Sequence, residues 1–275
     1  MKANRKATPE LELTLYRPVG LARSVKTMAD IGEEQLKQYR EEGYILVEQF
    51  LNEAEVQTCK EALTDIVFGR AIGRVQYGIS IDQIAPGVDR ELEVRKIHDF
   101  AGVESRLQQV IDHPHIHAVL EKIFSEKAKL AQEMALMKPA HGGGEKPWHQ
   151  DMAYGALAWS KAVCGVWIAL DDAEVDNGCM RIIPRSHMEG AIPHYAVRDW
   201  QICDTNITAN RVLAAPVRAG GVLIFHGLLH HGTPTNNSAN RRRSLQHHYA
   251  PVSAEKLSPQ EYKRLFTNEM TGAEC

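Results

Sequence analysis

Near Leu130 the sequence changes its rhythm, and the change divides what the chain can build. Downstream, apolar residues come in short runs at 131–138, 163–170, 179–183, 221–225 and 244–249, separated by clusters of Gly, Pro, Asn and Asp. Short strands punctuated by turn residues build an all-β sandwich or a closed barrel, because a strand face stays dry only against another sheet.

Upstream the apolar spacing is helical. From Glu33 the pattern runs through Leu36 and Tyr39 and stops at Gly43, a residue suited to closing a helix. Tyr44, Ile45, Leu46 and Val47 follow as a short strand. Asn52 with Glu55 forms a capping box that opens a helix through Val56, Ala62 and Ile66. Segment 69–89 is glycine-rich and has no clean period. A loop of that length in a compact domain is usually functional, so a lid carrying Gln76 and Tyr77 is expected there, with Tyr77 a candidate substrate contact. Helical spacing returns over 103–124, where Pro114, lacking an N–H, splits it into two helices. The expected organisation is a single domain over 1–275. Within it, 1–30 is a tail or arm, 31–128 mainly helical, 129–250 the β core and 251–275 a C-terminal extension. The fold class is α+β, mainly β.

Composition narrows the partners. A net charge of −3 with 24% charged residues leaves no electrostatic footprint for nucleic acid or an anionic membrane. The one dense basic run, Arg241-Arg242-Arg243, sits among strand-like residues. No segment has the apolar length of a signal sequence or a membrane span. The five cysteines (Cys59, Cys164, Cys179, Cys203 and Cys275) are odd in number, scattered and without a CxxC pair, so reduced thiols and a cytoplasmic location are expected. A small molecule is the expected partner; oligomeric state is not legible.

The chemistry gathers in the β half. His149-Gln150-Asp151 on an extended strand sends an imidazole and a carboxylate to one face, since side chains alternate with period two. A third ligand must come from another strand, and segment 221–233 offers His226, His230 and His231. Two histidines and a carboxylate on one face make the facial triad of non-haem iron(II) oxygenases, with three positions open. A bidentate oxoacid and dioxygen fill those positions, and the oxoacid's far carboxylate then needs a cation. Arginine suits it, because its planar fork binds a carboxylate through two hydrogen bonds. Arg242 lies eleven residues beyond His231, after the polar turn Asn236-Asn237-Ser238. Each part alone is as well explained by a surface strand or a solvated edge. Their joint order carries the argument. Alternation then turns Ser244, Gln246 and His248 inward with Arg242, and Arg243 and Leu245 outward. His248 is either a substrate contact or a hydrogen-bonded support for a ligand. Met152, Tyr154 and Trp159, just after the H-x-D strand, are expected to border substrate.

Lys138-Pro139, Trp148-His149-Gln150-Asp151, Asp176-Asn177-Gly178-Cys179-Met180, Ile183-Pro184-Arg185-Ser186-His187, His231-Gly232-Thr233 and Arg242 together resemble the phytanoyl-CoA dioxygenase family. Glu42-Gly43-Tyr44-Ile45-Leu46-Val47 is also similar to that family's N-terminal region, so the likeness runs from about Ile31 to Tyr249. The resemblance implies a double-stranded β-helix (jelly-roll, cupin-like) core with N-terminal helices packed on it. It implies Fe(II), 2-oxoglutarate and O2 as metal and cosubstrates, with succinate and CO2 released as a substrate C–H is hydroxylated. By position, His149, Asp151 and His231 match the iron ligands and Arg242 the 2-oxoglutarate anchor. Thr233 matches the hydroxyl beside that anchor, Lys138 and Trp167 approach the cosubstrate, and Gln132 lines the pocket. Asn177-Gly178 reads as a turn and His187 as a structural hydrogen-bonding residue. Related halogenases replace the triad carboxylate with a small residue, so Asp151 disfavours halogenation. The rivals are a metal hydrolase on the same ligands, a cupin-like enzyme without 2-oxoglutarate, and a binding module on the same fold.

Overall fold

The computed structural model describes residues 7–85 and 87–275; the first six residues of the expected arm and Pro86 of the expected lid lie outside them. Two sheets form the body. The larger runs in the order Ser24–Thr27, Tyr44–Gln49, Val222–His226, Cys164–Ala169, Arg242–Pro251, Ala128–Lys138, Val94–His98 and Arg74–Tyr77. The smaller runs Gly20–Leu21, Leu213–Ala215, Met180–Ile182, His231–Thr233 and Lys146–His149. Neighbouring strands in the smaller sheet and in the centre of the larger one are distant in sequence, because the chain crosses repeatedly between the two, while the strands at the larger sheet's two edges follow one another along the chain. The result is a jelly-roll core.

Alternation explains why the central strands of the larger sheet read as unbroken apolar runs. Tyr44, Leu46, Trp167, Leu223 and Phe225 face the smaller sheet and pack with Met180, Ile182 and Ala214. Ile45, Val47, Val166, Ile168, Val222 and Ile224 face the other way, onto a helical layer. A strand buried on both faces has no polar side to show. Helices Glu33–Glu42, Glu53–Val67, Ser105–Ile111 and Pro114–Phe124 supply that layer through Leu36, Tyr39, Leu63, Leu107 and Leu120. Gly43 closes the first of them at φ 88°, a left-handed conformation that a side chain would strain. Asn52 caps the second, its side chain accepting from Glu55 N at 3.0 Å while Asn52 N donates to the Glu55 carboxylate at 2.8 Å.

Three local expectations differ from the structure. The arm does more than pack on the body: Gly20–Leu21 adds a parallel strand to the smaller sheet and Ser24–Thr27 one to the larger. Edge strands this short carry no readable period. Within 69–89, Arg74–Tyr77 is a strand paired with Val94–His98. The cysteines are not all reduced, since Cys203 and Cys275, 72 positions apart, form a disulfide with Cα atoms 5.4 Å apart. The C-terminal extension folds back through helix Pro259–Phe266 to make this contact, which no spacing rule could anticipate. Cys59, Cys164 and Cys179 remain free and buried. No described helix is long and apolar enough to cross a membrane.

Candidate active site

His149 ends the Lys146–His149 strand, and antiparallel pairing sets His231 directly opposite it. Directly paired residues bring their side chains together on one face, and here the two imidazoles lie with centroids 4.2 Å apart. Gly232 permits the approach: a Cβ there would lie 3.0 Å from Lys146 O and 3.2 Å from Trp148 N. Gln150 stays extended and opens a 3-10 turn at Asp151–Ala153, so the Asp151 carboxylate returns to the side of His149. Its Oδ1 lies 3.4 Å from both His149 Nε2 and His231 Nε2. One ligand atom from each of the three residues falls within 4.8 Å of the others, and all three residues are buried.

Hydrogen bonds fix which atoms face inward. His149 Nδ1 lies 2.7 Å from Pro147 O, and His231 Nδ1 lies 2.9 Å from Leu229 O. A carbonyl oxygen only accepts, so each Nδ1 carries the proton and each Nε2 presents a lone pair, the form a metal requires. The buried His231 Nε2 has no hydrogen-bond partner among the described residues. Burial, reinforced by the neighbouring His231, lowers His149 to about 4, so it stays neutral near pH 7. Burial alone would raise Asp151, but His231 and His248 outweigh it and hold the carboxyl well below its usual range. The other Asp151 oxygen, Oδ2, accepts from His248 Nε2 at 2.8 Å and from Gln246 Nε2 at 3.3 Å. His248 thus braces the Asp151 carboxylate directly.

Gln150, which points away from the triad, locks this strand end from behind. It donates to Gly190 O at 2.7 Å and Leu228 O at 2.9 Å, and accepts from Ile192 N at 3.1 Å. His226 and His230, the other candidates for third ligand, lie elsewhere. His226 packs against His187 and Tyr39, and burial lowers both His226 and His230 to about 4. His187 hydrogen-bonds Arg40 O at 3.1 Å, and Asn177 holds a turn through Asp172 O and Glu174 N.

The triad opens into a cavity of about 630 Å3. Arg242, 3% exposed, projects into it from the Arg242–Pro251 strand. Its guanidinium stacks over Trp167 at 5.2 Å, while Nε and Nη1 are buried without an acceptor among the described residues. Burial lowers it to about 10. Trp167 Nε1 is likewise buried and unpartnered. Lys138, paired with Arg242 across the strands, donates to Thr233 Oγ1 at 2.9 Å, Pro234 O at 2.6 Å and Gly144 O at 2.9 Å. Gln246 and His248 also face the cavity, whereas Arg243 turns outward to Asp171 and Glu91, and Leu245 enters the helical layer. Gln132 and Tyr154 line the cavity, and the Tyr154 hydroxyl donates to Trp200 O at 3.0 Å.

Three expected substrate contacts are corrected. Met152 lies in an apolar cluster with Ala153, Val163 and Phe266, because the 3-10 turn at Asp151 breaks the strand alternation. Trp159 packs on the same cluster, with the Lys129 and Lys256 ammonium groups 4.6 Å and 4.0 Å from its ring centre; Leu157 lines the cavity instead. Tyr77 packs against the helical layer, and its neighbours Gly78 and Ile79 reach the cavity. Sequence reasoning missed Arg95, Lys96, Lys146, Arg198 and Asp199 on the cavity wall.

The phytanoyl-CoA dioxygenase family model matches residues 39–244. A relative from Mus musculus, phytanoyl-CoA dioxygenase domain-containing protein 1, is 24% identical over 84% of this chain and 94% of its own length. Among solved structures, EvdO2 from Micromonospora carbonacea var. aurantiaca complexed with 2-oxoglutarate aligns with a TM-score of 0.64 at 20% identity, over 84% of this chain and 96% of that one. The epimerase SnoN in complex with Fe3+, alpha ketoglutarate and nogalamycin RO aligns at 0.62 and 21%, over 88% of this chain and 91% of that one. Both share the fold. With the family model spanning most of the chain and running through the triad to Arg242, the chain belongs to the phytanoyl-CoA dioxygenase family.

Proposed function

We propose that this iron(II)- and 2-oxoglutarate-dependent dioxygenase holds its iron on His149 Nε2, Asp151 Oδ1 and His231 Nε2, anchors 2-oxoglutarate on Arg242, and hydroxylates a C–H bond of a small molecule. One observation carries the reading: a two-histidine, one-carboxylate face shares a cavity with a buried guanidinium that has no acceptor among the described residues. Buried N–H donors are nearly always satisfied, so unpartnered ones aimed into a cavity mark a ligand's place. A hydrolase on the same three ligands has no use for them. That solved neighbours of the same fold hold 2-oxoglutarate, and in one case Fe3+, supports the assignment.

The residues fit both groups. When bound, iron, 2-oxoglutarate and O2 supply the oxidation, one oxygen atom leaving in succinate as CO2 departs and the other entering the substrate. The protein positions and shields. Arg242 presents its fork to the far carboxylate of the oxoacid. Lys138 donates to Thr233 Oγ1, leaving the threonine proton free for that same carboxylate. Trp167 shields one face of the guanidinium and offers Nε1 as a further donor. His248 occupies Asp151 Oδ2, so Oδ1 alone faces the histidines. The whole of 1–275 is read as a single domain.

The test is succinate formation from 2-oxoglutarate by anaerobically iron-loaded protein exposed to oxygen, with and without a metabolite library, against Arg242→Ala. Succinate that needs iron and is lost in the variant is expected. No succinate, with no 2-oxoglutarate binding by calorimetry, would overturn the assignment.

A further inference from the structure

Away from the triad, the mouth of the cavity carries, among the described residues, a set of ion pairs and one cation left out of them. Arg198 is shared by two carboxylates, Glu145 and Asp204. Asp199, by contrast, serves two cations, with Lys146 Nζ at 2.6 Å and Arg95 at 3.6 Å. Lys96, partly buried on the same wall, makes neither a hydrogen bond nor an ion pair with any described residue. The charges it feels are the repulsive Lys146 and Arg95 and the attractive Asp199 and Asp151. The one other rim acid, Glu93, has no cation within ion-pair distance among the described residues.

Backbone irregularities put these cations here. Gln76 pairs with Lys96 but Tyr77 pairs with Val94, so Arg95 is an extra residue bulged out of the ladder. The bulge turns Arg95 and Lys96 together toward the cavity, although neighbours on a regular strand point oppositely. A second register shift, between His231–His149 and Thr233–Lys146, places Lys146 on the triad's side. Two separate bulges converging cations on one mouth are features of a binding wall rather than of a solvated edge. Apolar residues complete the wall: Ile79, Leu92, Met134, Leu136 and Leu157.

We propose that the substrate is an amphipathic organic anion whose carboxylate or phosphate docks on Lys96, with Lys146 and Arg95 beside it, while its apolar part lies along Met134 and Leu136 toward the triad. The inference names the substrate class of the site proposed above and rests on that reading. The bound metal, Asp151, 2-oxoglutarate and Arg242 balance one another in formal charge, so none of them leaves a counter-charge for Lys96, which is free to meet the substrate. A cavity of about 630 Å3 is of the size that takes a metabolite-sized ligand.

The test uses the full chain loaded with Mn(II), titrated by calorimetry first with 2-oxoglutarate. Octanoate, octyl phosphate, octanol and octylamine then follow at saturating 2-oxoglutarate. Octanoate or octyl phosphate binds, whichever is tighter naming the headgroup, while octanol and octylamine bind at least about 10-fold more weakly. Lys96→Met loses about 10-fold or more for the anion and none for octanol, and Lys96→Arg recovers most of it. Arg90→Met, which removes an exposed cation outside the cavity, leaves binding unchanged. Equal binding of octanol and the anions, an undiminished Lys96→Met, or displacement of the anion by 2-oxoglutarate would overturn the proposal. Failure of the first titration alone would count against the cosubstrate reading, and the Lys96 comparison would still be read separately.

Discussion

Replacing Arg242 with methionine separates a catalytic anchor from a structural cation. Burial lowers this guanidinium from 12.5 to about 10, which at about 1.4 kcal/mol per factor of ten is roughly 3 kcal/mol. The folded value lies below the unfolded one, so the penalty on the charged form is present at every pH below about 10. Methionine removes the charge while retaining a long apolar stem. It also loses the stacking on Trp167, worth about 0.5–2 kcal/mol, so the ligand-free variant is expected to gain about 1–2 kcal/mol. For a chain of this size that raises Tm by a few degrees. The response to 2-oxoglutarate moves the other way. At 100 times Kd the cosubstrate stabilises the native protein by about 2.7 kcal/mol. Deserting a buried carboxylate costs about 3–5 kcal/mol, or two to three and a half orders of magnitude in affinity. The variant should therefore melt higher alone and show no shift at the same ligand concentration. Thermal melts of Mn(II)-loaded protein with and without 2-oxoglutarate read both effects. A variant that melts lower than the wild type and keeps the ligand shift would refute the reasoning, because Arg242 would then be a structural group.

Removing the support behind Asp151 with His248→Leu should leave the fold intact and lower iron affinity about 10–100-fold, measured by competition with a chelator. Asp151→Ala removes a ligand itself and should cost more than that, leaving purified protein almost free of iron by elemental analysis; iron retained at the wild-type level would exclude Asp151 from the metal site. Acid stability follows from three histidines outside the triad. Burial lowers His226 to about 4 and His194 and His247 to about 3, against an ordinary value of 6.5. As pH falls below 6.5 the unfolded chain takes up protons that the folded one refuses. Each site then withdraws on the order of 3 kcal/mol or more by pH 4. Together they rival a typical folding free energy of about 5–15 kcal/mol, so circular dichroism should show unfolding between pH 6.5 and 4. His247→Phe should move that midpoint to lower pH, and an unmoved midpoint would clear His247 of the effect.

The legible parts of this molecule are those where one rule governs a residue and its neighbours do not interfere. Gly43 and the Asn52–Glu55 box are set by local hydrogen bonding, and both sit where the sequence places them. The inward turn of Gln246 and His248 follows from the strand's period of two, which holds until the register shifts after His248. His149, His231 and Arg242 share one cavity because their strands are regular or paired directly, and Asp151 joins them from the first residue of a 3-10 turn. Misplacements begin where the backbone leaves its period. Met152 fails because a 3-10 turn replaces the strand at Asp151. Arg95, Lys96 and Lys146 were invisible because two bulges rotate them inward, and a bulge depends on the partner strand rather than on its own residues. The Cys203–Cys275 bridge depends likewise on a long-range return of the chain. Metal ligands answer to a geometry that many chains share, so residue type and spacing declare them. The substrate wall is built from departures from regular strand, which only tertiary pairing reveals. A cation count along the sequence therefore misses the wall, and the register of the strand pairs locates it.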